Sequence, residues 1–250
     1  MSLASLPRLM NAAGFGGWVC RPAWRGLLDG FLTNPLSRQK RAPARPPRYA
    51  EAAGSILLHT GHPNPGLRAA LRRYADAWAR SPVPVWVHLL ADESLAEALD
   101  LLEESGAAAG VEVRLPPGCD AQTARRIVRA AWGKLPLLVQ IPWENAAALA
   151  EAVFETAEVP VSLGAPRGVR YLEGGGSLRG RVYGRALLPQ ALALVERISG
   201  RGIPVVGAGG AVTPQDVDAF FQAGAAGVQV DTVLWRGGFS VPSGWSPGRR

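Results

Sequence analysis

The pattern of apolar and polar positions alternates between two periods along most of the chain. Four short apolar runs carry a proline at or near their start: Val83-Pro84-Val85-Trp86-Val87, Leu135-Pro136-Leu137-Leu138-Val139, Val159-Pro160-Val161-Ser162-Leu163 and Ile203-Pro204-Val205-Val206. Proline at the entry of a strand costs no ladder hydrogen bond, so each run reads as a buried parallel strand. Gly110-Val111-Glu112-Val113-Arg114-Leu115 and Ala226-Gly227-Val228-Gln229-Val230 read the same way, and Leu9-Met10-Asn11-Ala12-Ala13 and Phe31-Leu32-Thr33 are shorter candidates near the start. Between the strands, the segments 65–78, 93–105, 121–132 and 145–156 place apolar residues at helical spacing with charge on the opposite face.

The segment 203–232 shows a whole unit. Its strand ends in Gly207-Ala208-Gly209-Gly210, then Thr213-Pro214-Gln215-Asp216 supplies an N-cap, an N1 proline and an N3 carboxylate for a helix that Gly224 ends, and the next strand follows. Two successive strand ends of this kind put bare N–H groups side by side, which suits a phosphate. Strand and helix alternate through eight strand starts, and eight strands close a (β/α)8 TIM barrel; an open doubly wound sheet is the alternative.

Two stretches break the alternation. Residues 37–48, SRQKRAPARPPR, are basic and proline-rich and predict a long loop at the barrel mouth rather than a linker. Residues 164–188, with Gly174-Gly175-Gly176 and several arginines, form the longest irregular stretch and are expected to cover the ligand-bearing face. Beyond Val233 no helical period continues, so the last barrel helix is expected to be short or missing. The expected organisation is one barrel domain over 1–238 and a disordered tail over 239–250.

Composition narrows the picture only modestly. At 250 residues the chain has room for one barrel, and its formal charge of +7 is almost all arginine, since Lys40 and Lys134 are the only lysines. Those arginines are spread along the chain without a nucleic-acid motif, which argues against a nucleic-acid partner. Cys20 and Cys119 are too few for a disulfide framework and lack metal spacing. With no long apolar run and no continuous apolar core in residues 1–18, a cytoplasmic protein without a membrane partner is expected. His59 and His62 in one loop, with His88 at a strand end, lack a diagnostic ligand pattern, and no metal is expected. Glu112, Glu144 and Glu173 are candidate acids near strand ends, Glu112 being a candidate for a buried pair with an arginine. Trp143 is a candidate to stack on a planar ring.

The order of these turns resembles the dihydroorotate dehydrogenase family, the flavin mononucleotide (FMN) barrels of pyrimidine biosynthesis. The resemblance runs from about Met10 to Thr232. It rests on Met10-Asn11-Ala12-Ala13-Gly14, Pro46-Pro47-Arg48-Tyr49 with Gly54-Ser55-Ile56, Asn64-Pro65-Gly66, Gly184 and Pro189, the 207–210 turn, Asp216, Ala223-Gly224-Ala225 and Val228-Gln229-Val230. It implies FMN as cofactor, held by Ala12, Ala13, Gly14, Thr33, Asn34, Gln140, Ser162, Gly184, Gly209, Gly210, Asp231 and Thr232, with His59 and Asn64 toward the substrate.

The chemical positions depart from the family. Its flavin-contacting lysine after the second strand is Asn34, its lysine at the end of the fifth is Gln140, and Pro117 stands where the proton-removing cysteine or serine belongs. Cys119 is the one candidate replacement, at the start of the helix that follows Asp120. The family's glycine at the second phosphate turn is Asp231. A carboxylate 4 Å from a phosphate costs about 4 kcal/mol at an effective dielectric near 20 unless it turns away or meets an arginine. The resemblance therefore implies a flavin oxidoreductase with an eroded active site. The alternatives are a non-catalytic ligand-binding barrel or partner of an active homologue, and a phosphate-ligand isomerase or lyase; self-association is also open.

Overall fold

In a computed structural model, residues 6–52, 54–173, 175–240 and 245–248 are described. Eight parallel strands form one curled sheet in the order β1-β12-β11-β8-β7-β6-β5-β2. They are β1 (Leu9–Asn11), β2 (Phe31–Leu32), β5 (Val85–Leu90), β6 (Gly110–Arg114), β7 (Leu137–Ile141), β8 (Val161–Leu163), β11 (Val205–Ala208) and β12 (Gly227–Val230). The fold is the α/β barrel that the alternation predicts. All eight expected strands are present, shifted by at most a few residues.

The four prolines show why they sit where they do. Each lies just before its strand and uses its carbonyl, the group proline retains, as a ladder acceptor. Phe31 donates to Pro84, Val111 to Pro136, Val139 to Pro160 and Val161 to Pro204, at 2.8 to 3.1 Å.

The seam between β1 and β2 is closed by a side chain. A bridge joins Met10 to Gly30, and the Asn11 amide then stands in for a strand backbone, accepting from the Leu32 N–H at 2.8 Å and donating to the Leu32 carbonyl at 2.6 Å. The barrel is thus nearly closed with only two-residue backbone pairing on β2.

Among the described residues six α-helices pack around the sheet: α1 (Leu67–Ala79), α2 (Leu95–Ser105), α3 (Ala121–Ala131), α4 (Ala146–Ala157), α5 (Leu188–Ser199) and α6 (Pro214–Gln222). Helix α6 starts with the expected capping box: Thr213 Oγ1 accepts from the Asp216 N–H, and the Asp216 carboxylate accepts from the Thr213 N–H. Among the described residues after β12 the helical element is a five-residue 3₁₀ turn, Thr232–Arg236, in line with the short last helix expected.

The irregular stretch 164–188 proves to be partly regular. It supplies β9 (Arg167–Tyr171) and β10 (Ser177–Tyr183), which join β3 (Tyr49–Ala52) and β4 (Ser55–Leu58) in a four-stranded antiparallel sheet of order β3-β4-β10-β9. Glycine, arginine and exposed Tyr171 hide this sheet from a hydrophobic-pattern reading, because most of β9 faces solvent. Of the segment 239–250, residues 241–244, 249 and 250 lie outside the described residues. Trp245 Nε1 donates to Asp218 on α6, and the Pro247 carbonyl accepts from Arg8 Nε.

Among the described residues no helix is long and apolar enough to cross a membrane.

Candidate functional site

The interior of the barrel is laid down by strand alternation, since residues two apart share a face. Leu6, Met10, Leu32, Trp86, Leu138 and Val206 form an apolar plug across one end. Gly110 belongs to this layer because a Cβ there would stand 2.8 Å from the Trp86 ring. Two residues further along the strands the lining turns polar: His88 follows Trp86, Glu112 follows Gly110 and Gln140 follows Leu138, joined by Ser162 and Gln229. Another two residues on, Arg114 and Asp231 reach the mouth.

Glu112 is the centre of the polar layer. Its fully buried carboxylate accepts from His88 Nδ1 at 2.6 Å, Ser162 Oγ at 2.6 Å and Gln229 Nε2 at 2.7 Å, with Gln140 Nε2 more distant at 3.4 Å. Burial disfavours its charge, yet these donors prevail and hold Glu112 below the ordinary carboxylate range. Burial likewise pulls His88 down, against the pull of Glu112. The pair is therefore an ionised carboxylate and a neutral imidazole whose proton lies on Nδ1. The lone pair on His88 Nε2 has no hydrogen-bond partner and is sealed from solvent.

Above this layer the site is cationic. Arg114, 8 % exposed, has its guanidinium brought down to about 9 by burial and by Arg181, and remains charged at neutral pH. Arg114 Nη1 donates to His62 Nε2 at 2.5 Å. Burial, Arg114 and Arg181 push His62 down to about 2, so it is a neutral acceptor. Arg181 and Tyr183 extend in from β10, the strand of the small sheet nearest the mouth. The space these groups leave is a cavity of about 30 Å³, room for roughly one or two waters.

The glycine turn lies at one side. A Cβ on Gly210 would meet the Leu188 N at 2.7 Å, so the backbone there packs as tightly as a phosphate turn. At the end of the next strand a carboxylate competes for such donors. Asp231 Oδ1 accepts from the Thr232 N–H at 2.5 Å and from Thr232 Oγ1 at 3.0 Å, and the nearby Gly210 N–H also favours its charged form. Asp231 is 3 % exposed, and burial raises its carboxyl above the usual range although these donors counteract it. The Trp143 ring comes within 3.1 Å of the position of a Cβ on Gly209.

The structure thus sorts the residues that the sequence singled out. Ala12, Ala13, Gln140, Gly209 and Asp231 line the mouth cavity, and Ser162 lies just beneath it on Glu112. Gly184 and Thr232 instead border a separate groove of about 690 Å³ with Arg185, Trp235 and Arg236. Thr33 and Asn34 face inward to the framework: Thr33 Oγ1 accepts from the His88 N–H, and Asn34 Oδ1 accepts from the Gly17 N–H. Gly14 follows β1 at φ +95° and lines neither space.

Of the substrate-side candidates, His59 is exposed and away from the cavity. Asn64 is buried and staples its loop through the Gly66 N–H, Ser37 and the His62 carbonyl. His62 is the loop histidine that reaches the site. Cys119 lies outside the cavity lining; burial and Asp120 push its thiol up. Among the described residues no group of three His, Cys, Asp or Glu side chains gathers to hold a metal.

The partner of Glu112 is His88 rather than an arginine. Arg114, Arg181 and Gln229 were not candidates in the sequence. Arg114 and Gln229 were signalled by parity, as polar positions on the inward face of otherwise apolar strands; Arg181 had no signal, because its strand was not recognised.

The fold is a parallel eight-stranded α/β barrel, with a buried carboxylate network inside it and a cationic mouth. No protein-family profile matches the chain. Curated proteins do: it is 27 % identical over 235 residues to the dihydroorotate dehydrogenase B (NAD(+)) catalytic subunit of Pelobacter propionicus, covering 82 % of this chain and 75 % of that protein. The same subunit is 26 % identical over 247 residues in Pyrococcus furiosus, covering 89 % and 81 %, and 26 % identical over 264 residues in Bacillus caldolyticus, covering 92 % and 81 %. The chain is a distant relative of these catalytic subunits across most of its length.

Proposed function

We propose that this chain is a dihydroorotate dehydrogenase-like barrel that binds a small anion at its mouth and has given up flavin chemistry. The observation that carries this reading is the buried Asp231 carboxyl on the Thr232 N–H and hydroxyl. A bound phosphate at this turn needs such donors, and the Asp231 side chain occupies them internally.

Two further features agree. The lysines and the proton-removing residue of the family are replaced by Asn34, Gln140 and Pro117, and loss of a positioned base alone costs about 10²- to 10⁴-fold. The mouth cavity of about 30 Å³ is small beside the roughly 300 to 1,000 Å³ of sites for larger organic ligands, and the groove of about 690 Å³ bordered by Gly184 and Thr232 shares only Tyr183 with its lining. The residues present therefore do not fit FMN in the manner the resemblance implies. What the mouth offers is Arg114 and Arg181 around a small space, the electrostatics of an oxyanion site.

The second reading, an FMN oxidoreductase, is favoured by the relation to dihydroorotate dehydrogenase B catalytic subunits and by the retained Gly209-Gly210 turn. Calorimetric titration with acetate, formate and bicarbonate, repeated on Arg114→Met, tests the anion site: binding by the wild type and its loss in the variant is expected. Reduction of bound FMN by dihydroorotate in the wild-type protein is the result that restores the oxidoreductase reading.

A further inference from the structure

The polar layer of the barrel contains more hydrogen-bonding capacity than the fold uses. Apolar side chains of similar volume fill such a layer without loss of stability, so a buried His88–Glu112 pair is not explained by packing. Two acceptors in it are fully buried and unpartnered, His88 Nε2 and Gln229 Oε1, and a donor at the mouth, Arg181 Nε, is also unpartnered. All three residues line the same small cavity with Arg114.

Their polarity defines what fits. Water satisfies the acceptors but brings no charge to Arg114 and Arg181, neither of which forms a salt bridge among the described residues and which feel the fields of Glu112 and Glu144 respectively. A plain carboxylate satisfies the arginines but turns lone pairs toward His88 Nε2 and Gln229 Oε1, leaving both acceptors unpaired or repelled. An oxyanion that also carries a hydroxyl meets both demands: its oxygens face the arginines and its O–H donates to His88 Nε2 or Gln229 Oε1. The cavity of about 30 Å³ limits the ligand to the smallest members of that class.

We propose that the barrel mouth selects a small hydroxylated oxyanion, of bicarbonate or glycolate size, with Arg114 and Arg181 holding its charge and His88 Nε2 and Gln229 Oε1 reading its hydroxyl. Glu112 is a positioning residue: by accepting from Nδ1 it fixes the tautomer that leaves Nε2 as the acceptor. Ser162 donates to the opposite carboxylate oxygen, Oε1, and so helps to fix the orientation of Glu112. The inference rests on the small-anion reading above and adds the class of anion and the groups that discriminate it.

The test compares bicarbonate and glycolate with acetate and formate, which lack the extra hydroxyl, by calorimetry on the whole chain. Imidazole ¹⁵N resonances of His88 are followed in the same titrations. A preference of about tenfold or more for glycolate over acetate, with a shift of the His88 Nε2 resonance on glycolate binding, is expected. Gln229→Met, which keeps the volume and removes the orphan acceptor, should narrow that preference, and His88→Phe should abolish it. If His88→Phe fails to fold, the Nε2 resonance and Gln229→Met decide. Equal binding of acetate and glycolate with a silent Nε2 resonance overturns the discrimination and leaves the small-anion reading standing. No binding of any of the four anions overturns both.

Discussion

Glu112 and His88 face each other in register on neighbouring strands β6 and β5 and share a 2.6 Å hydrogen bond, with both side chains at 1 % exposure or less. Removing one member leaves the other buried without its partner. Glu112→Ala is expected to destabilise the barrel by about 3–5 kcal/mol, since His88, Ser162 and Gln229 all lose their acceptor. The double change Glu112→Leu with His88→Leu is expected to cost far less than the sum of the single changes. Urea unfolding of the three variants checks this double-mutant cycle.

Acid should weaken the fold early. Burial lowers His62 to about 2, and burial lowers His88 as well, so the folded state keeps both neutral while the unfolded chain protonates them below about 6.5. The unfolded state then binds more protons, and stability is full above that value and falls as the pH drops below it, by at most about 1.4 kcal/mol per unit and per histidine. Glu112, held low by its hydrogen bonds, adds a further loss below about 4.5. His62→Gln, which keeps an acceptor for Arg114, is expected to flatten the upper part of this profile. Urea midpoints measured from neutral pH to about pH 5 show whether it does.

Trp86 fills the apolar end of the barrel only because Gly110 on the next strand has no side chain. Gly110→Ala forces the indole or the strand to move and is expected to destabilise by about 1–3 kcal/mol, the usual cost of overpacking. Trp86→Phe in the same chain should recover part of the loss. Thermal midpoints of the single and double variants are the measurement.

How much of this was legible in the sequence follows from how local each feature is. The eight strands could be read because proline marks the entries of four and short apolar runs fill them, and the α6 cap because Thr213 and Asp216 lie three residues apart. The small sheet could not, since β9 and β10 carry arginine and glycine at positions where an apolar pattern is expected, and β9 buries little. Glu112 stood out as a polar residue among apolar neighbours, while Arg114 and Gln229 carried the same inward-parity signal and were not picked as candidates. The choice of His88 as the partner of Glu112 depends on the strand register, and the contact with Gln229 spans 117 positions that only barrel closure brings together.

Asp231 shows the same limit from the other side. Its presence at a phosphate turn was visible in the sequence, with the electrostatic conflict that implies. Whether the carboxylate points away or sits in the turn depends on the backbone at that residue, φ −118° and ψ −104°, and the structure puts it in the turn.

The measurement that reaches the central claim most directly is an FMN titration of the wild-type chain beside Asp231→Gly, followed by quenching of flavin fluorescence. Freeing the Thr232 N–H and removing the buried carboxyl beside it should restore a phosphate donor. No quenching by the wild type and a gain of about tenfold or more in affinity for Asp231→Gly is the predicted result. Tight FMN binding by the wild type, unchanged in Asp231→Gly, would contradict the account.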